Sequence, residues 1–284
     1  MPHITIIGAG WLGQPLANTL VSLGHQVSAS HTTSPKCLPE SNPSIHSLVI
    51  DLKQTNAATL ATQLAQCHSQ IVIGCFPPGF RHGTKGEYVH HWQTLVTACQ
   101  LAQVEKIVMV SSTTVYPSQP EEMYEECATL ELAHHRPDFS EPARWMLMAE
   151  QAVIESGLSY AIVRLSGLIG AERHPARFVH RLQSLSTQAP ANILHQWDAI
   201  GAVAFCALQV ENHVVNATTP FTVSKAEFYQ HAAQLAGLTQ ALPPIVHTPD
   251  KRIMADKLQR LGYRFHFSHT LNALEQLDPP LESL

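Results

Sequence analysis

Three glycines near the start of the chain, Gly8, Gly10 and Gly13, lie in the segment GAGWLG between a short apolar run and a stretch with leucines at helical spacing. In such a strand-turn-helix unit, the first glycine permits a tight turn, the second lets a pyrophosphate approach the backbone, and the third allows helix and strand to pack closely. Backbone N–H groups near Trp11 and Leu12 would face the anion at the helix N-terminus. The motif predicts a dinucleotide site, and an ordinary glycine-rich turn is the alternative.

The residues about twenty positions beyond this motif indicate which dinucleotide would bind, because an acid there binds a free ribose hydroxyl whereas basic and polar groups bind a 2′-phosphate. Residues 29–36 read ASHTTSPK and hold no acid. The candidate donors to a phosphate are Ser30, His31, Thr32 and Lys36. They favour NADP over NAD, while the missing arginine keeps open a solvated turn compatible with either cofactor.

The cysteines and histidines form no pattern typical of a metal site. The six cysteines are widely scattered without a CxxC pair. Among the 18 histidines, adjacent pairs occur at residues 90–91 and 134–135, but neighbours on a helix point about 100° apart and no HExxH is present. We therefore predict free thiols and no bound metal.

Composition and charge indicate a globular protein. Of the 284 residues, 45% are hydrophobic and only 14% are charged, unlike a disordered chain. The formal net charge of −5 gives no overall attraction to nucleic acid or anionic lipid, and no apolar run approaches the roughly 20 residues that span a bilayer. The first residues lack a basic leader. We expect a cytoplasmic protein without nucleic-acid or membrane partners.

Strand-like and helix-like segments alternate over the first two thirds of the chain, which is typical of a parallel sheet covered by helices on both faces. The candidate strands are 3–7, 26–30, 46–50, 70–75, 106–112, 159–165 and 213–217. The candidate helices are 11–23, 56–66, 86–102, 142–156 and 197–209. With right-handed crossovers, this order predicts an α/β fold with a doubly wound, Rossmann-type parallel sheet.

The chain changes character after the last of these strands. Ser224 is a candidate N-cap for a helix that continues to Gln234, and residues 252–260 form another helical stretch. A small C-terminal domain on the substrate side would then cover the carboxyl edge of the sheet, where open α/β folds bind ligands. The predicted domains are a dinucleotide-binding domain of residues 1–167 and 193–217, and the small domain of residues 168–192 and 218–284.

Five further segments follow one another in a recognisable order. They are DL at 51–52, CFPP at 75–78, VSSTTVY at 110–116, RLSGLIG at 164–170 and HQWD at 195–198. Over nearly the whole chain they resemble landmarks of the extended short-chain dehydrogenase/reductase superfamily, including proteins of the NAD-dependent epimerase/dehydratase type. The resemblance implies cofactor contacts from Asp51, Leu52, Phe76 and Ser111, and it places Ser112 at the family's catalytic Ser/Thr position.

The helix that follows departs from the family. Members carry a YxxxK pair, whose tyrosine exchanges a proton with a substrate oxygen and whose lysine lowers the tyrosine pKa and binds the nicotinamide ribose. When Glu150 is aligned with the family's acid four places after that lysine, the two positions hold Pro142 and Met146. Neither residue can exchange a proton. An atypical active site would then use Ser112, with Tyr116 as the nearest phenol, although this tyrosine is generally structural in the family.

Four arginines are candidates for binding an anionic substrate. Arg144 lies on the helix just described, where it is a fixed cation or a solvated side chain. Arg173, Arg177 and Arg181 recur every four residues and would line one face of a helix that begins at Pro175. The family places substrate along this segment, so the cluster suggests a carboxylate or phosphate, with a solvated helix face as the alternative.

Together these features predict an NAD(P)-binding oxidoreductase or epimerase that acts on a small, anionic substrate. The missing dyad favours the alternative of a non-catalytic NADP(H) sensor similar to the NmrA-like regulators of the superfamily. The retained Ser112 and the full-length substrate-side segment favour an enzyme. Because family members often pair through the helices after their fourth and fifth strands, a homodimer is a further expectation.

Overall fold

Strands and helices alternate through the computed structural model, which describes residues 1–33, 42–80 and 85–277. The strands are β1 (His3–Ile7), β2 (Gln26–His31), β3 (Ile45–Val49), β4 (Ile71–Gly74), β5 (Lys106–Ser112), β6 (Glu122–Met123), β7 (Ser159–Leu165), β8 (Gly167–Ile169), β9 (Leu185–Ser186), β10 (Ile193–His195), β11 (His213–Ala217), β12 (Ile245–Val246) and β13 (Arg252–Ile253). The helices are α1 (Gly13–Ser22), α2 (Ala57–Gln66), α3 (Lys85–Leu101), α4 (Leu130–His135), α5 (Glu141–Ile154), α6 (Gln196–Gln209), α7 (Lys225–Leu235), α8 (Asp256–Arg260) and α9 (Thr270–Glu275).

Seven strands form one parallel sheet in the order β3-β2-β1-β4-β5-β7-β11. The chain winds outward from β1 in both directions, so the segments after β1 and β4 diverge at the carboxyl edge and leave a crevice between them. The predicted doubly wound α/β fold is confirmed. The predicted strands and the first five predicted helices match the observed ones to within about two residues.

Two apolar cores cover the two faces of the sheet. Leu60 of α2, Trp92 of α3 and Leu147 of α5 belong to one core. Leu16 of α1 and Val203 of α6 belong to the other. The central strands are apolar along nearly their whole length because both of their faces are buried.

The C-terminal part of the chain joins the earlier segments through short parallel pairs, β8 with β10, β9 with β12 and β6 with β13. The predicted start of α7 is confirmed, since the Oγ of Ser224 accepts a hydrogen bond from the N–H of Glu227 at 3.1 Å. The predicted helix over 252–260 is wrong in its first part, because Arg252 and Ile253 form β13 and α8 begins only at Asp256. The division into two domains stays a prediction.

None of the helices in the described part of the chain combines the length and apolar character needed to cross a membrane.

Candidate functional site

The glycine-rich turn connects β1 to α1 at the carboxyl edge of the sheet. Gly8 has a φ of +99°, in the region that favours glycine, and a Cβ at Gly13 would collide with the carbonyl oxygen of Gly8. A Cβ at Gly10 would meet no atom within 4 Å. The first and third glycines therefore build the turn, and the second leaves open space beside it.

The N-terminus of α1 faces this turn without a side-chain cap from any described residue. The N–H of Gln14 donates to the carbonyl of Gly10 at 3.0 Å and Pro15 has no N–H, so the groups left to face an anion are the N–H of Gly13 and those of the turn before it. The helix dipole favours negative charge there. The carbonyl of Trp11 accepts a hydrogen bond from the Nε2 of Gln196 at 2.8 Å, which ties the turn to α6. The open space beside Gly10 and the uncapped helix suit the pyrophosphate of a dinucleotide.

Ser30 supports the turn and does not face a ligand. Its buried Oγ accepts a hydrogen bond from the N–H of Gly8 at 3.0 Å, and its carbonyl accepts one from Ala9 at 2.7 Å. The predicted contact between Ser30 and a 2′-phosphate is therefore corrected. At the same strand end, His31 is half-buried and Thr32 is exposed, while Lys36 lies outside the described residues.

Asp51, Leu52 and Phe76 follow β3 and β4 at the same edge of the sheet. The carboxylate of Asp51 accepts hydrogen bonds from the N–H of Lys53 at 3.0 Å and from the Nε2 of Gln54 at 3.1 Å. The half-buried ring of Phe76 packs against the buried ring of Trp92, and Leu52 packs on the adjacent core. Their contacts with the cofactor stay predictions.

A buried ion pair lies beneath the ends of β5 and β7. The Nη2 of Arg164 is 2.6 Å from the Oε2 of Glu150, and both side chains are 2% exposed. The Oγ of Ser111 donates to Glu150 at 2.6 Å, and Arg164 donates to the Oη of Tyr116 at 2.9 Å. Buried charges need such partners, because an unpaired charge in the interior is costly. The side chain of Ser111 thus serves this network, and its predicted cofactor contact stays a prediction.

Tyr116 is buried and fully engaged. Its Oη donates to the Oδ1 of Asn216 at 2.7 Å and accepts from Arg164, and burial raises the pKa of Tyr116 to about 12. A phenol so placed has no remaining O–H to offer a substrate. The catalytic role predicted for Tyr116 does not fit this position, which is that of a structural residue.

Ser112 lies half-buried at the carboxyl end of β5. Its Oγ accepts a hydrogen bond from the N–H of Thr114 at 3.1 Å and is 2.9 Å from the Oγ1 of Thr114. These contacts cap a short 3₁₀ turn at Thr113–Val115. Unlike Ser111, Ser112 belongs to no buried network among the described residues.

Helix α5 carries no phenol or amine at the positions of the dyad. Pro142 is in the first turn, after the N-cap Ser140, and Met146 is buried in the core at 1% exposure. Arg144 donates to three main-chain carbonyls, those of Ala133, Arg136 and Phe139. Its predicted substrate contact is corrected, because the guanidinium holds the segment that precedes the helix.

The segment with the three regularly spaced arginines forms three short 3₁₀ turns rather than one helix. Its predicted common face therefore does not exist. The guanidinium of Arg173 lies over the indole of Trp11, 4.2 Å from the ring centroid. Arg177 donates to the carbonyl of Glu172 at 3.3 Å, and Arg181 lies 5.5 Å from the centroid of Phe178.

A polar cavity of about 300 Å³ opens beside the end of β5. It is lined by Thr113, Thr114, Tyr116, Pro117, Ser118, Asp138, Ser140 and Lys251. No motif in the sequence marks Lys251 or Asp138 as site residues. Lys251 reaches the cavity only because β13 pairs with β6, a contact between distant parts of the chain.

Within the described residues, no three His, Cys, Asp or Glu side chains are grouped in a way that could hold a metal ion.

Comparison with known proteins gives a consistent result. A model of the NAD(P)H-binding family matches residues 8–191. Protein YeeZ from Escherichia coli K12 is 27% identical over 240 residues, which cover 84% of this chain and 85% of YeeZ. The enzyme WbmH from Bordetella bronchiseptica, solved with NAD⁺, has a TM-score of 0.74 at 15% identity over 98% of this chain and 97% of WbmH.

A second solved structure has the same fold. The UDP-glucose 4-epimerase from Thermus thermophilus, in complex with NAD, has a TM-score of 0.73 at 16% identity and covers 96% of each chain. This chain therefore shares its fold with these two proteins.

Proposed function

Because this chain belongs to the NAD(P)H-binding family, we propose that it is an NADP(H)-dependent oxidoreductase or epimerase whose small, anionic substrate binds beside Ser112. The observation that carries this proposal is the position of Ser112. It lies at the carboxyl end of β5, outside the buried network below it and next to a polar cavity. A hydroxyl placed there is able to donate to a carbonyl or alcohol oxygen of a substrate.

The cofactor would be held by the glycine-rich turn, the N-terminus of α1 and the residues that follow β3 and β4. Bound NADP(H) would supply a hydride. The turn and the helix N-terminus would bind the pyrophosphate, and Asp51 and Phe76 would border the adenosine end. Arg173, which lies over Trp11, adds a cation near the pyrophosphate.

A preference for NADP over NAD is supported by the end of β2, where residues 29–33 include no acid that would repel a 2′-phosphate. His31 and Thr32 remain as its donors among the described residues. One charge-assisted hydrogen bond contributes roughly 1.5–3 kcal/mol, so we expect about a tenfold preference. Calorimetry with both cofactors at one salt concentration tests it, and equal dissociation constants would contradict it.

A matched pair of variants tests the same point. His31→Asp should move the preference toward NAD, because a carboxylate repels the phosphate and binds the ribose hydroxyls. His46→Asp adds the same charge to an exposed position of β3 and serves as the control. A parallel loss of NADP affinity in both variants would mean that His31 does not contact the nucleotide.

Catalysis at this site would be slow on the substrates of ordinary family members. General acid-base catalysis contributes about 10²–10⁴-fold, and Pro142 and Met146 supply no proton. Single-turnover assays with bound NADPH and a panel of carbonyl compounds measure the remaining activity. We expect Ser112→Ala to remove that activity and Tyr116→Phe to leave the chemical step intact where the protein folds. Turnover that survives Ser112→Ala would place the reaction elsewhere.

A non-catalytic NADP(H) sensor is the second candidate, and the burial of Met146 in the core favours it. The two functions differ in whether other small molecules bind the protein only when the cofactor is bound. A substrate pocket completed by NADPH predicts small molecules that raise the melting temperature only when NADPH is present. Full cofactor binding without such ligands and without turnover would favour the sensor. A homodimer through α3 and α5 remains a prediction that light scattering checks.

A further inference from the structure

We propose that Lys251 provides the cation of the substrate site and binds an anionic oxygen of the substrate in the cavity beside Ser112. This inference rests on the proposed function. Lys251 would supply a positive charge that α5 lacks, because α5 carries Met146 at the position of the dyad lysine.

The ammonium of Lys251 has donors to spare. Its Nζ donates to the main-chain carbonyl of Tyr116 at 2.8 Å, and the side chain is half-buried in the cavity wall. An ammonium carries three N–H donors. Within the described part of the chain, this carbonyl is the one hydrogen-bond partner of Nζ, and no carboxylate lies within 4 Å of it. Two donors are left for a ligand in the cavity.

The nearby carboxylates are paired with other groups. Asp250 is 2.9 Å from the Nζ of Lys225. Asp138, in the opposite wall of the cavity, accepts from Arg136 at 2.7 and 3.1 Å and from Gln119 at 2.7 Å. Within the described part of the chain, neither acid forms an ion pair with Lys251. Burial lowers the pKa of Lys251, and the attraction of the neighbouring Asp250 offsets part of this effect.

The backbone around Lys251 is held firmly. The Nδ2 of Asn192 donates to the carbonyl of Lys251 at 2.9 Å, and the Oδ1 of Asn192 accepts from the N–H of Ile253 at 2.9 Å. Together with the pairing of β13 and β6, these bonds fix the point from which the side chain extends. A cation held on a rigid backbone favours a bound anion, because little additional ordering is needed.

The other groups in the wall indicate the class of ligand. Thr113, Thr114, Ser118 and Ser140 bring hydroxyls to the cavity, and Lys251 brings the charge. Hydroxyls both donate and accept, so they suit a polyhydroxylated compound, whereas the ammonium suits a carboxylate or a phosphate. The expected ligand is thus a small polyhydroxylated anion.

Reductive labelling with glyoxylate tests the proposal without knowledge of the natural substrate. The lysine nitrogen adds to the aldehyde carbon of glyoxylate, water leaves, and cyanoborohydride reduces the resulting imine to carboxymethyl-lysine. Peptide mass spectrometry then reports the rate at each lysine. We expect glyoxylate to label Lys251 faster than the exposed Lys53. Because only the neutral amine adds to an aldehyde, the uncharged acetaldehyde measures the part of this preference that comes from the pKa of each amine. The preference with glyoxylate should exceed that with acetaldehyde at least about fivefold, equivalent to about 1 kcal/mol of attraction for the carboxylate.

Competing anions identify the type of ligand. Sodium gluconate or inorganic phosphate, added before labelling, should protect Lys251, and the more protective one indicates a carboxylate or a phosphate ligand. Lys257→Met is the control, and it should leave both labelling and protection at Lys251 unchanged. Labelling of Lys251 no faster than Lys53, or protection by neither anion, would overturn the proposal and leave Lys251 as a structural tie to the carbonyl of Tyr116.

The cofactor is measured separately. Lys251→Met should keep the parent's NADP(H) affinity by calorimetry, and so should Lys251→Arg, which keeps the charge. Selective labelling of Lys251 in a protein that binds no dinucleotide would support the anion site and refute the proposed function. Dinucleotide binding without selective labelling of Lys251 would support the proposed function and refute the anion site.

Discussion

The guanidinium of Arg173 covers the indole of Trp11 at 4.2 Å, so a residue from the segment after β8 lies on the glycine-rich turn after β1. The turn and this segment are far apart in the sequence, and Gly170 packs so closely that a Cβ there would be 2.7 Å from the indole of Trp11. Under the proposed function this stack would place Arg173 beside the pyrophosphate of the cofactor, whereas the sequence assigns it to the substrate, and both roles stay predictions.

Arg173→Gln should weaken NADP(H) binding by about tenfold, because a charge-assisted hydrogen bond to a phosphate contributes roughly 1.5–3 kcal/mol. Calorimetric titration measures the change. Arg177→Gln removes the same charge from a neighbouring exposed turn, and its affinity should match the parent's. Equal affinity of the Arg173 variant and the parent would remove Arg173 from the cofactor site.

Gly10→Asp should abolish dinucleotide binding while the protein stays folded. The new side chain finds open space in the protein but brings a negative charge to the site of the pyrophosphate. Gly13→Ala should instead destabilise the fold and lower the melting temperature, because the new Cβ would collide with the carbonyl oxygen of Gly8. Circular dichroism and calorimetry on both variants separate the two effects, and parental affinity in folded Gly10→Asp would contradict the assignment.

His195 should make the protein less stable as the pH falls below about 6.5. Burial, with a smaller effect from His266, lowers the pKa of His195 to about 4 in the folded protein. Between these two values the unfolded chain binds the proton and the folded protein does not, so stability rises with pH across this window. The effect of one histidine is at most about 1.4 kcal/mol per pH unit.

A variant that tests the pH effect must keep the N-cap of α6, because the Nδ1 of His195 accepts a hydrogen bond from the N–H of Trp197 at 3.1 Å. His195→Asn retains an acceptor for α6 and removes the titration. Urea unfolding of parent and variant at pH 5 and 7 should show a smaller pH effect in the variant. An undiminished pH effect would assign the titration to other groups.

Glu150→Gln should cost about 3–5 kcal/mol of stability, because it leaves the buried charge of Arg164 without its counter-ion. The solvent-accessible pair of Arg136 and Asp138 offers a control, in which Arg136→Gln should cost far less stability because water screens the pair. Urea unfolding measures both. Similar small losses of stability in the two variants would mean that water solvates the guanidinium of Arg164 once the carboxylate of Glu150 is removed.

The sequence predicts most of the sheet and its helices because hydrophobic periodicity is a local property that burial on both faces enforces. It also predicts the glycine-rich turn, in which Gly8 and Gly13 have local steric reasons. The N-cap Ser224 is also predicted correctly, because its hydrogen bond joins residues that are close in the sequence.

The errors concern residues whose partners are distant in the chain. Ser30 bonds to Gly8, Tyr116 to Asn216, and Lys251 enters the cavity through the pairing of two short strands. None of these contacts leaves a periodic signal. The regular arginine spacing was misleading because short 3₁₀ turns replace the predicted helix.

The pairing of β13 with β6 also sets an order of assembly on the ribosome. All seven strands of the central sheet have been synthesised once β11 is complete, whereas β13 emerges later and brings Lys251 with it. Domains tend to fold from their N-terminal parts as the chain is made. A nascent chain would therefore complete the central sheet first, and cofactor bound at the proposed site at that stage would stabilise a protein whose proposed substrate cavity still lacks one wall.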